Sequence, residues 1–469
     1  MAATTTTQTE EYVSLKILLN ENGNKVLFAE AGKDFVDILC SFLTMPLGTI
    51  ARLVEKGSSI GPVTVGCLNS LYQSVASLDE RYFCDDAFKQ MLLQPINSAE
   101  DYCNTLKLNI DDTQPTKYFG CNHYSFNKHH DLTISSYKDK HKCYCGHPFT
   151  TSVSLKHSRQ GFVNCVTTFV ITDDLTVMPN GIDYTSLSLL QEYGITNPSS
   201  VKQIVLNVTK EKVQDLLKCS LHSKTTLTDL FLQKKPSFQV SRFFTPNVEM
   251  SGSLEIILKL VIRKSDGKVL CAQGEHDFVN LLLSFLTFPL GGISRTFGEK
   301  ISLGSINHLY KSIYELNENK YFTTKEAKNT LVDPCITPQF MLNNQILPIC
   351  QPQEYMYEST CVQYSEVVEN TNYAGNMKKI NLNYCSSPES YVKGPAMYVA
   401  TDDLVISPLS PISALGLLNR LKTPLNDLEE KVVTIGYNES LSILKAALTS
   451  TSALTNGLAH LLTEVKEQK

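Results

Sequence analysis

Apolar and polar positions along this chain change period several times, and each change predicts an element. Leu15, Ile17 and Leu19 alternate with Ser14, Lys16 and Leu18, the spacing of a strand with one buried face. Asn22-Gly23-Asn24 follows and leads into Lys25-Val26-Leu27-Phe28. Because Asn and Gly tolerate positive φ, this predicts a β-hairpin. The period then becomes helical: Phe35, Ile38, Leu39, Phe42 and Leu43 recur at i, i+3, i+4, i+7 and i+8, with Asp34 as the expected N-cap. Pro46 ends that helix, and Gly48 supplies a permissive backbone before the next apolar turn.

The same words return past the midpoint. Ile256, Leu258, Leu260 and Ile262 lead through Asp266-Gly267 to Lys268-Val269-Leu270, then to Asp277-Phe278-Val279 and Phe285-Leu286-Thr287-Phe288-Pro289-Leu290-Gly291. Leu71-Tyr72 and Ser74 reappear as Leu309-Tyr310 and Ser312. Thr172-Asp173-Asp174-Leu175 reappears as Thr401-Asp402-Asp403-Leu404, each between two apolar runs that read as strand, tight turn and strand. Helix, strand and helix follow at 187–190, 204–208 and 213–221, mirrored at 415–418, 431–435 and 441–448. Self-similarity at so long a spacing predicts a duplicated domain, since solenoid units are far shorter. The expected layout is a polar tail over 1–11, a first repeat over 12–233, a linker over 234–253 and a second repeat over 254–469, each repeat with its own core. Strands and helices mix without a regular βαβ beat. The fold class expected is therefore α+β: two tandem homologous domains, each a small mixed or antiparallel sheet (the N-terminal hairpin plus later strands) packed with several helices.

Composition narrows the class. A chain of 469 residues fits two to three domains, and 42% hydrophobic with 19% charged residues describes a globular protein. A net charge of −5 gives no global basic field to recruit nucleic acid or acidic lipid. The Thr-rich start has no basic and apolar leader, and no apolar run approaches the ~20 residues that span a bilayer. Fourteen cysteines spread over such a chain are expected as reduced thiols in a cytoplasmic or nuclear protein.

The repeated phrases resemble the land-plant family catalogued as domain of unknown function 674, whose members commonly carry the unit in tandem. The resemblance rests on Phe42-Leu43-Thr44-Met45-Pro46-Leu47-Gly48 and its second copy, on Leu-Tyr-x-Ser, on Thr-Asp-Asp-Leu, and on Leu227-Thr228 and Leu454-Thr455. It covers nearly the whole chain. It implies ancestry and brings no established activity.

The densest chemistry lies in 121–147, where Cys121-Asn122-His123 is followed by His129-His130, His141 and Cys143-Tyr144-Cys145-Gly146-His147. Zinc takes thiolate and imidazole donors tetrahedrally, so Cys121, His123, Cys143 and Cys145 are the expected ligands of one structural zinc in the first repeat, with His130 and His147 as substitutes. The second repeat keeps only Cys361 and Cys385 there. The competing expectation is a polar surface loop with free thiols. Asp173-Asp174 and Asp402-Asp403 are expected as exposed turn residues, whose replacement by Asn would change stability by no more than ~1 kcal/mol. A thiol nucleophile could be sought in Cys145 near His147 or Cys165 near His157, but no oxyanion donor or orienting partner can be named. No P-loop or G-x-G-x-x-G occurs. The Pro-Leu-Gly phrases are expected as corners between packed helices.

These residues carry no intact catalytic signature. The reading they support is a non-enzymatic interaction or scaffold role with an unidentified protein partner, and with neither nucleic acid nor membrane. The first alternative is a zinc-dependent binding protein acting through 121–147, and the second is a thiol-dependent enzyme.

Overall fold

The structure is a computed structural model of the whole chain. It describes residues 11–463 except 21–23, 122–131, 136–141, 143–145, 156–159, 166–167, 181–185, 234–253, 338–339, 351–355, 359–361, 365–376, 383–388, 411–415, 417 and 420–422.

The first half contributes strands β1 (Tyr12–Asn20), β2 (Lys25–Ala31), β3 (Tyr118–Cys121), β4 (Leu132–Ser135), β5 (Phe149–Leu155), β6 (Phe169–Thr172), β7 (Val177–Pro179) and β8 (Val201–Thr209). The second contributes β9 (Ile256–Arg263), β10 (Val269–Gly274), β11 (Met356–Glu358), β12 (Val362–Tyr364), β13 (Met377–Leu382), β14 (Tyr398–Thr401), β15 (Ile406–Pro408) and β16 (Leu428–Ile435). Two five-stranded sheets result, in the order β7-β6-β2-β1-β8 and β15-β14-β10-β9-β16, with antiparallel pairings throughout. Helices pack with these sheets, and the fold is α+β.

The hairpins form where the sequence places them. Val13, Leu15 and Ile17 are buried while Tyr12, Ser14 and Lys16 are exposed, so one face of β1 meets the core. Asn24 and Gly267 take the positive φ their turns require. Phe35, Ile38, Leu39, Phe42 and Leu43 are all fully buried along the helix Lys33–Thr44. The caps differ from expectation. Gly32 and Glu275 stand at the N-cap positions, and Asp34 and Asp277 lie inside the first turn, where a carboxylate still favours the helix dipole.

Two expectations are overturned. The first is that each half has its own core. A single continuous cluster of buried side chains takes residues from both halves, from Val13 to Leu458. The Pro-Leu-Gly corners join the halves: Pro46 pairs with Pro289, the Leu47 N–H donates to the Phe288 carbonyl (2.9 Å), and the Leu290 N–H donates to the Met45 carbonyl (3.0 Å). The corners turn the chain as expected, but against each other. The second is that 121–147 is wholly a loop. Strand β4 lies within it, and with the flanking β3 and β5 it joins β11, β12 and β13 in a six-stranded sheet ordered β11-β13-β4-β3-β5-β12, with β4 parallel to β13. A strand's backbone can be satisfied by a partner far away in sequence, which local polarity cannot reveal.

Candidate functional site

Of the four expected zinc ligands, only Cys121 falls among the described residues. It ends β3, is buried, and stands opposite Phe149 of β5. His123, Cys143 and Cys145 lie outside the described residues, as do the substitute His130 and also Cys361 and Cys385. Lys142 pairs with Pro148, one step from the Cys121–Phe149 pair. The backbone thus brings Cys121 to the sheet end that carries Lys142 and Pro148. Among the described residues no group of His, Cys, Asp and Glu side chains could hold a metal ion. Cys165 is exposed, while Cys145 and His157 lie outside the described residues.

The Asp-Asp phrases are not exposed. Asp173 is buried and accepts hydrogen bonds from the backbone N–H and the hydroxyl of Thr228, both at 2.7 Å. The Thr228 hydroxyl in turn accepts from the Val26 N–H (2.9 Å). Asp402, Thr455 and Val269 repeat the arrangement at 2.8, 3.0 and 3.0 Å. Burial pushes both carboxyls up from the usual range, against the lowering effect of those hydrogen bonds. Thr-Asp-Asp-Leu and Leu-Thr recur together because one accepts from the other and so clamps a helix onto the hairpin. Adjacent Asp174 makes different contacts: it accepts from the Thr172 hydroxyl and pairs with His308 at 3.0 Å. Leu175 and Leu404 carry φ of 63° and 65° within these turns, a strained conformation for Leu held by full burial of the side chain.

A charged cluster that the sequence did not disclose lies at the start of the helix Lys33–Thr44. Lys33 Nζ contacts Asp37 Oδ2 (2.5 Å) and donates to the carbonyls of Gln160 (2.6 Å) and Val163 (2.8 Å). Asp37 Oδ1 accepts from the N–H groups of Phe162 and Val163 at 2.8 and 2.9 Å. Burial raises the Asp37 carboxyl, opposed by Lys33 and by those N–H groups. Gly161, at φ +70°, passes so close that a Cβ would collide with the Asp37 carboxylate. A cavity of about 170 Å³ adjoins the pair, lined also by Asp34, Thr105 and Lys107. Three acceptors saturate the Lys33 ammonium, so the cluster staples 160–163 to the helix and has no donor left for a ligand. The second half does this without charge: Asn280 Oδ1 accepts from the Tyr391 N–H (3.0 Å) and its amide donates to Ser390 (2.8 Å).

Two uncovered surfaces remain. Each five-stranded sheet ends in a long edge strand, β8 or β16. Val205 of β8 is 56% exposed. Val432 of β16 and Ile257 of β9 are each 67% exposed. Ile257 opposes Thr434 and Val432 opposes Lys259, so these four share one face, where Lys259 also pairs with Glu430 at 2.7 Å. No described helix is long and apolar enough to cross a membrane.

No curated protein matches this chain, and no solved structure matches it. One family model, described as "Protein of unknown function (DUF674)", matches residues 9–438. That match takes in both five-stranded sheets, the Asp173–Thr228 clamp and the paired corners, and on it the chain belongs to the family of that description.

Proposed function

We propose that this chain is a plant protein of two tandem copies that acts by binding another protein rather than by catalysis, and that it does so at its sheet edges. The observation that carries this reading is the edge strand β16, with Val432 and Ile257 uncovered on one face. A long edge offers a row of backbone donors and acceptors to an extended segment, and natural proteins usually blunt such edges. The saturated clusters around Asp37 and Asp173 support the same reading, because their polar groups are spent on holding the fold. The test compares the full chain with its Val432→Lys variant as bait in plant tissue extract. Partner recovery should fall at least about tenfold in the variant, the scale of a lost anchor residue. The urea midpoint should not move, because the site is exposed. Equal recovery by both proteins would refute the edge as the binding surface.

One observation favours a second reading, zinc-dependent binding through 121–147. Cys121 stands one step from the Lys142–Pro148 bridge, which encloses the positions of Cys143 and Cys145 in sequence. A structural zinc there would contribute folding free energy to a segment rich in polar residues.

A further inference from the structure

The contacts between the two halves come in reciprocal pairs. Besides the paired Pro46 and Pro289 corners, the Cys67 N–H donates to the Ala447 carbonyl (2.7 Å) and the Ser305 N–H donates to the Ser220 carbonyl (2.8 Å). Asn164 N–H donates to the Tyr321 carbonyl (2.9 Å) and Lys393 N–H to the Tyr82 carbonyl (2.7 Å). Phe83 pairs with Val392 and Val163 with Phe322. Gly66 and Gly304 hold positive φ where a Cβ would strike the backbone of the other half, at Ala447 and at Ser220. Contact i to j matched by j to i is the signature of an isologous two-fold interface, normally found between identical subunits.

From this we infer that the surface each half buries is a docking surface for a second copy of the same unit, and that this chain is such a two-fold dimer with its subunits joined end to end. The partner that fits the face bearing the Pro-Leu-Gly corner is another unit of this fold. Burial of one shared core holds the halves together. This inference is independent of the edge-strand reading, since the two surfaces are different.

The experiment uses the full chain with a protease site inserted between Phe243 and Phe244. After complete cleavage the fragments should co-elute at the size of the uncut protein and melt in one transition that shifts with concentration, as mass action requires. Fragments that run at half size, or that precipitate once cut, would overturn the inference. A second measurement ties the association to this surface: Gly66→Ala with Gly304→Ala should raise the dissociation constant of the cut protein at least about tenfold. Gly61→Ala, at φ +83° with open space around it, is the control for backbone strain alone. If the Gly66/Gly304 variant holds as tightly as the control, the docking surface lies elsewhere.

Discussion

Asp173 and Thr228, 55 residues apart, are joined by two hydrogen bonds of 2.7 Å, one from the backbone N–H and one from the hydroxyl. Asp402 and Thr455 are joined in the same way. Each pair fastens the turn between two strands to a short helix, Thr226–Phe231 or Ala453–Gly457, and through the Thr hydroxyl to the start of β2 or β10.

Replacing Asp173 or Asp402 by Asn should therefore cost about 1.5–3 kcal/mol each, the scale of a buried hydrogen bond to a charged group. The amide offers one acceptor where two are used. Urea unfolding of the full chain measures this, and a loss below about 0.5 kcal/mol would show that the clamp contributes little.

The Lys33–Asp37 pair gives a coupled prediction. Lys33→Met alone should cost about 2–3 kcal/mol, somewhat below a fully buried pair because the Lys33 side chain is 21% exposed. Adding Asp37→Asn should recover most of that, since Asn280 already serves the equivalent place with a neutral side chain. The pH dependence has a definite sign. The Asp37 carboxyl is raised in the folded state, so its contribution is fully present below its unfolded value and is lost as pH rises through the folded one. Removing Lys33 takes away a group that lowers this carboxyl, so Lys33→Met should lose stability with rising pH more steeply than the native chain. The double variant should lack that slope. Equal slopes for all three proteins would show that Asp37 is not the titrating group.

Thiol reactivity should divide by burial. The thiols of Cys67, Cys103, Cys219 and Cys350 are pushed up to about 12 by burial, and that of Cys40 well above its ordinary value. Among the described cysteines, Cys84 and Cys165 are exposed. Alkylation at neutral pH followed by peptide mass spectrometry should mark those two first and reach the seven buried described cysteines, which include Cys121 and Cys271, only with unfolding. Early labelling of Cys103 would reveal an opening of the core beside Thr44.

Metal content tests the Cys121 region. The full chain purified under reducing conditions should carry at most one zinc, lost on joint replacement of Cys143 and Cys145 by Ser and retained on Cys361→Ser. Because β4 pairs with β13 and β5 with β12, chelation should expose 118–155 and 356–382 to protease together. Protein without stoichiometric zinc would end the metal reading.

Much of this fold was legible in sequence because it is local. Alternation over 13–19 sets which face of β1 is buried, Asn24 and Gly267 set the turns, and the spacing from Phe35 to Leu43 sets a helix. The phrases recur in the second half, where the structure forms a second five-stranded sheet of equivalent order. What the repeated phrases are for was not local. Pro46 faces Pro289, Asp173 reaches Thr228, and Lys33 reaches Gln160 across 127 residues. A carboxylate in a turn reads the same whether water or a distant Thr satisfies it. An apolar stripe likewise does not say which sheet or helix will cover it. Sequence by itself determined the local elements of the two five-stranded sheets and their first helices, because strand alternation, turn residues and helical spacing are local signals. Only the tertiary structure decided that the two halves share one core, because burial and hydrogen-bond satisfaction depend on which distant segment arrives.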